Sequence, residues 1–155
     1  MKSAFMREAI RISFQMMRRN KGGPFGAVVV RKGKIISQGW NQVTSANDPT
    51  AHAEIVAIRE ACRRLKTFHL DDCELYASCE PCPMCLSAIY WARVRKVYYA
   101  NTRKDAAGIG FDDDFIYTEV SRPIAKRKLI MKQFMHKEAL AAFEEWKNKP
   151  DKMKY

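Results

Sequence analysis

Two short segments of the sequence carry residue types that bind metals and move protons. They are His52-Ala53-Glu54 and, later in the chain, Pro81-Cys82-Pro83-Met84-Cys85. A Cys-x-x-Cys pair at the start of a helix brings two sulfurs within reach of one tetrahedral ion, and the positive end of the helix favours thiolate. With His52, the two cysteines give three protein ligands, which is how catalytic zinc sites keep a fourth position for water. The spacing therefore predicts a catalytic Zn²⁺ site at His52, Cys82 and Cys85.

Glu54 is the candidate proton carrier of this site. It lies two residues after His52, so on a helix it shares the first turn but points in another direction. It can therefore take a proton from a water molecule, whose pKa zinc lowers to about 7, without binding the metal itself. The combination H-x-E with P-C-x-x-C is the signature of zinc nucleobase deaminases. The pattern thus predicts hydrolytic deamination.

Each part of this pattern also occurs without catalysis. His-x-Glu is common by chance, and Cys-x-x-Cys can be a redox pair or half of a structural zinc site. A closed structural site needs a fourth thiol or imidazole, for which Cys79 is the nearest candidate. That interpretation leaves Glu54 and the position of Pro81 unexplained. Cys62 and Cys73 are interpreted as core or surface thiols.

The elements that must position these residues alternate between helical and strand patterns. An amphipathic helix comes first, with Gly22 and Gly23 helping to end it, and a hairpin follows with Gly33 at positive φ in its turn. Further strands are expected at CELYASC and VRKVYYA, and further helices at AHAEIVAIREACRRL, PMCLSAIYWAR and residues 136–147. The 155 residues suit one domain. We expect a three-layer α/β fold with a mixed sheet, its last strand–helix–strand unit parallel.

The composition of the sequence indicates the cellular compartment in which the protein is expected. Arg7, Glu8 and Arg11 interrupt the apolar stretch near the N-terminus, so it does not have the form of a secretory signal. No segment approaches the roughly 20 apolar residues of a membrane span. Five cysteines are an odd number, which favours reduced thiols or metal ligands over a disulfide framework. We therefore expect a cytoplasmic protein with no membrane partner.

The charge is strongly positive, at +11. Ten basic and four acidic residues lie between Ser121 and Tyr155, so this stretch holds +6 of that charge. A nucleic-acid footprint has this composition, and so does a solvated lysine-rich surface. We do not expect nucleic acid as a partner, although the basic tail leaves that alternative open.

The sequence resembles the bacterial guanine deaminases, a family of the cytidine-deaminase-like zinc deaminase superfamily, along nearly its whole length. The zinc segments are shared with cytosine, cytidine and tRNA adenosine deaminases. The stretches particular to the family are GGPFGAV, the run Tyr90-Trp91-Ala92-Arg93, the run Gly110-Phe111-Asp112-Asp113, and a chain ending in tyrosine.

This resemblance implies a fold, an activity and an assembly. The fold is a three-layer αβα sandwich with a five-stranded mixed sheet. The activity is the zinc-dependent hydrolysis of guanine to xanthine and ammonia, with guanine as the small-molecule partner. The family forms homodimers, so residues 1–155 are expected to be a single deaminase domain whose C-terminal segment, 121–155, crosses to the second subunit and helps to close its active site.

The resemblance also implies, position by position, a pocket for the base. Asn41 and Asp113 would hydrogen-bond the purine, with the backbone of Ala53 and the carboxylate of Glu54 close beside it. The remaining pocket residues are aromatic: Phe25 and Trp91 as walls, and Tyr155 reaching in through the exchanged tail.

Two other functions remain open from the sequence. A tRNA adenosine deaminase would share the zinc segments and use the positive charge, and it would bind tRNA with strong salt dependence. A non-catalytic zinc protein that binds nucleic acid through the basic tail would hold the metal but turn over no nucleobase.

Overall fold

Helices and strands alternate through most of the chain, as the sequence pattern predicts. The computed structural model describes residues 2–154. The first elements are α1 (Lys2–Arg18), β1 (Gly26–Arg31), β2 (Lys34–Trp40), α2 (Val43–Ala46) and α3 (Ala53–Leu65). They are followed by β3 (Cys73–Cys79), α4 (Pro83–Trp91), β4 (Lys96–Asn101) and α5 (Arg103–Ala107).

The strands form one mixed sheet in the order β2-β1-β3-β4. β1 pairs antiparallel with β2 and with β3, whereas β3 and β4 are parallel across α4. The turn of the hairpin has Lys32 at φ 48° and Gly33 at φ 73°, the left-handed conformations of a type I′ turn. The mixed sheet, the parallel unit and the role of Gly33 are therefore confirmed.

The number of strands differs from the five implied by family resemblance, because residues 2–154 contain four. Instead, Thr102 and Asp105 form a capping box that starts α5 directly behind β4. Gly110 then has φ 92°, a conformation that favours glycine and turns the chain after α5. The expectation of a fifth strand is wrong for this part of the chain.

Side chains of β1 alternate between two cores, one on each face of the sheet. Ala27 and Val29 point to the core that is closed by α3 and α4. Val28 and Val30 point to the opposite core, where α1 packs through Ile12. Two helical layers thus enclose the sheet, which confirms the three-layer sandwich.

The start of α3 lies directly against β2 because Gly39 has no side chain. A Cβ atom at Gly39 would lie 2.1 Å from the carbonyl oxygen of Ala53 and 2.6 Å from the amide nitrogen of Ala57. The buried hydroxyl of Ser37 donates a 2.7 Å hydrogen bond to the carbonyl oxygen of Ala57. These contacts fix the height of the first turn of α3 above the sheet.

The chain divides into two compact units, residues 1–113 and 114–155. The second unit contains α6 (Asp114–Ser121), a short 3-10 helix (Ile124–Lys126) and α7 (His136–Asn148). Glu119 organises its first part: its carboxylate accepts from the guanidinium of Arg122 at 2.6 Å and from the backbone N–H of Lys128 at 2.7 Å. The predicted helix at 136–147 is confirmed.

Among residues 2–154, no helix combines the length and the apolar character that crossing a membrane requires.

Replacing Gly39 with alanine should disturb the active-site end of α3. The added methyl group has to push the first turn of α3 away, and such overpacking typically costs about 1–3 kcal/mol of stability. Gly108→Ala is the matched control, because its Cβ would meet no atom closer than 3.4 Å. Thermal melts and metal content should change only for Gly39→Ala. A Gly39→Ala protein that retains both would show that the close approach is unimportant.

Candidate active site

Two helix N-termini meet beside the carboxyl end of β3. His52 is the N-cap residue of α3, and Cys82 is the N-cap residue of α4. Pro83 occupies the first turn of α4, where its missing N–H costs nothing, and Cys85 lies in the same turn. Because both helices point their positive ends at this place, anionic sulfur and oxygen atoms are stabilised there.

The side chains of His52, Cys82 and Cys85 converge on one point. The Nδ1 atom of His52 lies 3.5 Å from the Sγ atom of Cys82 and 3.5 Å from that of Cys85. Tetrahedral zinc, with bonds of about 2.3 Å to sulfur and about 2.0 Å to nitrogen, requires roughly 3.6 Å between such atoms. The three residues therefore fit zinc in both their chemistry and their spacing.

The described residues place no fourth protein ligand in this group, whose ligand atoms all lie within 4.8 Å of one another. Cys79, the candidate for a closed structural site, instead directs its thiol to the carbonyl oxygen of Thr102 at 3.6 Å. Three protein ligands are the arrangement of a catalytic rather than a structural zinc site.

Without a metal, the two ligand thiols differ in proton affinity. A hydrogen bond from Cys85 and another from His52 lower the pKa of Cys82 to about 4. The pKa of Cys85 is raised, because it donates to Cys82 and is buried. The hydrogen bond to Cys82 also raises the pKa of His52. Cys82 is thus the ligand that gives up its proton most readily, whereas Cys85 and His52 would have to release theirs when a cation binds.

Glu54 lies in the first turn of α3 and is buried, with 7% of its surface exposed. Its Oε2 atom is 3.5 Å from the sulfur of Cys85, so the carboxylate adjoins the metal position. Burial raises the pKa of Glu54 to about 7. The structure therefore brings Glu54 to the three ligand residues, as the sequence predicts.

Asn41 is held in place by the backbone around it. Its Oδ1 atom accepts hydrogen bonds from the N–H groups of Gly23 and Val43, both at 3.3 Å. Gly22 has φ 153°, and a Cβ there would lie 1.7 Å from the carbonyl oxygen of Asn41. The sequence assigned Gly22 and Gly23 to the end of α1, but that helix stops earlier, at Arg18. The two glycines serve instead to fix Asn41.

Phe25 is joined by Phe111, a contact that the sequence did not reveal. Their rings pack edge to face, with centroids 4.9 Å apart. Both residues belong to stretches that are particular to the resembling family, and this shared membership is the signal that could have paired them. Asp113 follows two residues after Phe111, and burial together with the negative charge of Cys82 raises its pKa. Asp113 is therefore within electrostatic reach of the metal ligands.

The other residues expected in the pocket are Ala53, Trp91 and Tyr155. Ala53 is buried between His52 and Glu54. Trp91 is the last residue of α4, roughly 9 Å along the helix axis from Cys85, and 68% of its surface is exposed. Tyr155 lies outside the described residues. The pocket roles of these residues remain predictions.

A model of the cytidine and deoxycytidylate deaminase zinc-binding region matches residues 1–101, which include all three metal ligands and Glu54. The chain belongs to this family of zinc deaminases. The protein is therefore a zinc-dependent hydrolytic deaminase, and His52, Cys82 and Cys85 form a group that could hold the metal.

Individual deaminases extend the similarity beyond the zinc-binding region. Guanine deaminase of Bacillus subtilis is 50% identical over 151 residues, covering 97% of each chain. Its crystal structure superposes with a TM-score of 0.96 over 99% of this chain and 98% of that one. A tRNA-specific adenosine deaminase of Aquifex aeolicus is 43% identical, covering 70% of this chain and 71% of its own. A guanine deaminase structure from Nitrosomonas europaea has 35% identity and a TM-score of 0.68, covering 71% and 64%.

Removing one sulfur ligand should release the metal. Purified protein should contain about one zinc per chain, and Cys85→Ala should lose it along with some stability, because thiolate–zinc bonds contribute to folding. Cys62→Ala is the matched control, since Cys62 lies outside the ligand group. Elemental analysis measures both variants. Full zinc occupancy in Cys85→Ala would refute the ligand assignment.

Proposed function

We propose that this deaminase converts guanine and water to xanthine and ammonia. The observation that carries the proposal is the extent of the similarity. The guanine deaminase of Bacillus subtilis matches 97% of the chain, including the second unit, whereas the adenosine deaminase of Aquifex aeolicus matches 70%. The similarity to the guanine enzyme thus continues beyond the zinc-binding region into the second unit.

The orientation of Asn41 supports an oxopurine as substrate. Its Oδ1 atom is engaged by two backbone N–H groups, so the amide presents its Nδ2 donors to a ligand. Guanine offers acceptors at O6 and N7, while adenine carries an amino donor in place of O6. Asp113 supplies the complementary acceptor for a ring N–H of guanine. A donor from Asn41 and an acceptor from Asp113 would together select guanine over adenine.

In the reaction we propose, the oxygen of a water molecule attacks C2 of guanine. Zinc, when bound by His52, Cys82 and Cys85, supplies a Lewis acid that lowers the pKa of water to about 7. Glu54 accepts a proton from the water and delivers it to ring N3. It then takes the remaining proton from the new hydroxyl group at C2 and passes it to the amino group, and the C2–N bond breaks to release ammonia as the C2=O bond of xanthine forms. One carboxylate can perform both transfers because it lies 3.5 Å from the sulfur of Cys85 and burial raises its pKa to about 7, near working pH.

The aromatic residues support this chemistry by holding the base and excluding water. Phe25 and Phe111 form a rigid edge-to-face pair beside Asn41 and Asp113. We assign Phe25 to one wall of the pocket and Trp91 to another. The reaction is assigned to the cytoplasm, because all five cysteines are free thiols and a reducing compartment keeps them so.

An ammonia-release screen tests the activity. We expect turnover of guanine and little of guanosine, adenine, cytosine or adenosine in tRNA. Glu54→Gln should keep zinc and fold while losing about 10² to 10⁴ in rate, because it retains the shape but not the proton carrier. Turnover of tRNA adenosine in preference to guanine would favour the editing function instead. Zinc content without turnover on any substrate would favour the non-catalytic one.

We further propose that two copies of the chain assemble and exchange the segment 121–155. α7 presents Leu140, Phe143 and Trp146 at three-residue spacing, which places them on one face of the helix. Their exposed fractions are 40%, 74% and 46%, and α7 has no buried residue. An amphipathic helix needs a surface for such a face, and a second copy of the chain supplies one in the family that this sequence resembles.

Mixing two inactive variants tests whether Tyr155 of one subunit completes the site of the other. Chains lacking Tyr155 keep Glu54, and Glu54→Gln chains keep Tyr155. After subunit exchange, half of the dimers are mixed and each has one complete site. Activity should therefore return to about a quarter of the wild-type value.

The control mixture pairs the Tyr155-deleted chain with a chain that carries both changes, and it should stay inactive. Full activity of the deletion variant alone would remove any role for Tyr155. Absence of rescue, when labelled subunits demonstrably exchange, would mean that Tyr155 acts within its own subunit.

A further inference from the structure

The exposed face of α1 carries a row of arginines that the deaminase reaction does not use. Arg7, Arg11, Phe14 and Arg18 are all exposed, and their spacing of four, three and four residues aligns them along one side of the helix. Arg19, which is also exposed, follows directly. We name these five residues the α1 basic face. From Arg7 to Arg18 it extends about 16 Å.

This face is weakly neutralised. Between Lys2 and Lys21 the chain has six basic residues and a single acidic one, Glu8. Glu8 pairs with Arg11 at 2.7 Å. Within residues 2–154, no salt bridge to a carboxylate involves Arg7, Arg18 or Arg19. The charge of these three arginines therefore faces solvent.

An aromatic ring lies within the row of positive charge. Phe14 is 49% exposed, although exposure of apolar surface to water is energetically unfavourable. The guanidinium of Arg18 lies 5.2 Å from the centre of its ring. Phe14, Gln15 and the arginines at 11, 18 and 19 line an open cavity of about 530 Å³. Arginine, a planar ring and an amide are the groups that hold phosphates and stack on bases.

The α1 basic face is separate from the catalytic elements. α1 packs through Ile12 on the sheet face that carries Val28 and Val30, whereas α3 and α4 pack on the opposite face. A ligand bound to the outer side of α1 would therefore not occupy the zinc site.

We propose that the α1 basic face binds single-stranded nucleic acid, with phosphates on the arginines and a base against Phe14. A length of about 16 Å exceeds what a single mononucleotide needs and suits several linked phosphates. The net charge of +11 adds long-range attraction for a polyanion. A stacking ring favours nucleic acid over other polyanions, since only nucleic acid presents flat bases between its phosphates.

Fluorescence anisotropy with labelled oligouridine of about twelve nucleotides tests the proposal on the full-length, zinc-loaded protein, the length falling within known single-strand site sizes. Wild-type affinity should fall steeply with salt. The double variant Arg18→Glu with Arg19→Glu should bind about tenfold or more weakly, and its log–log salt slope should be smaller by about 1.4, or 0.7 for each lost phosphate contact. Phe14→Ala should weaken binding but leave the salt slope unchanged.

The matched control reverses the charges of Lys32 and Lys34 by replacing both with glutamate. These residues are exposed in the hairpin turn, and their replacement changes the net charge by the same amount. It should bind within about twofold of wild type, since it changes the total charge but leaves the α1 basic face intact. All variants should keep wild-type guanine turnover and thermal stability, which shows that they are folded.

Three results would overturn the proposal. The first is no salt-dependent binding by wild type. The second is an equal loss of affinity in both double variants, which would mean that only total charge matters. The third is binding to vesicles containing phosphatidylserine that depends on Arg18 and Arg19 while oligouridine is ignored, which would make α1 a membrane-surface helix.

Discussion

The positions of three ligand atoms constrain the whole first unit. His52 and Cys82 are separated by 30 residues, yet their nitrogen and sulfur atoms must lie about 3.5 Å apart for one ion to join them. The chain meets this requirement by starting two helices at the same edge of the sheet. Gly39 lets α3 approach β2, and Pro83 starts α4 immediately after Cys82. A shift of either helix along its axis would separate the ligands.

The same arrangement buries the carboxyl group of Glu54. Glu54 is buried in the first turn of α3, two residues after His52. The position of the candidate ligand at the helix start therefore also determines where the proposed proton carrier lies. Electrostatic interactions are stronger in such surroundings than in water, and burial raises the pKa of Glu54 to about 7.

The sequence predicted that His52, Glu54, Cys82 and Cys85 belong to one site and where the four strands lie, because both motifs and the strand alternation are visible in short stretches. His-x-Glu and Cys-x-x-Cys define their geometry within one helical turn, and the alternation in β1 and β3 is visible in a few residues. The contact between Phe25 and Phe111 could not be derived in this way, since it joins distant loops through tertiary packing. The fifth strand came from family resemblance rather than from residue patterns, and the local capping of α5 by Thr102 overrode it.

The metal ligands and the proposed base contacts are built on different kinds of structure. The ligands begin helices that are anchored in the core, whereas Phe25, Asn41 and Asp113 lie outside the strands and helices, in connecting segments. Loops tolerate substitution better than packed helix starts. One metal centre can therefore be retained through evolution while the loops are rebuilt around other amino-bearing rings. Relatives named for cytidine, adenosine and guanine would then be variations in loop sequence on an unchanged reaction centre.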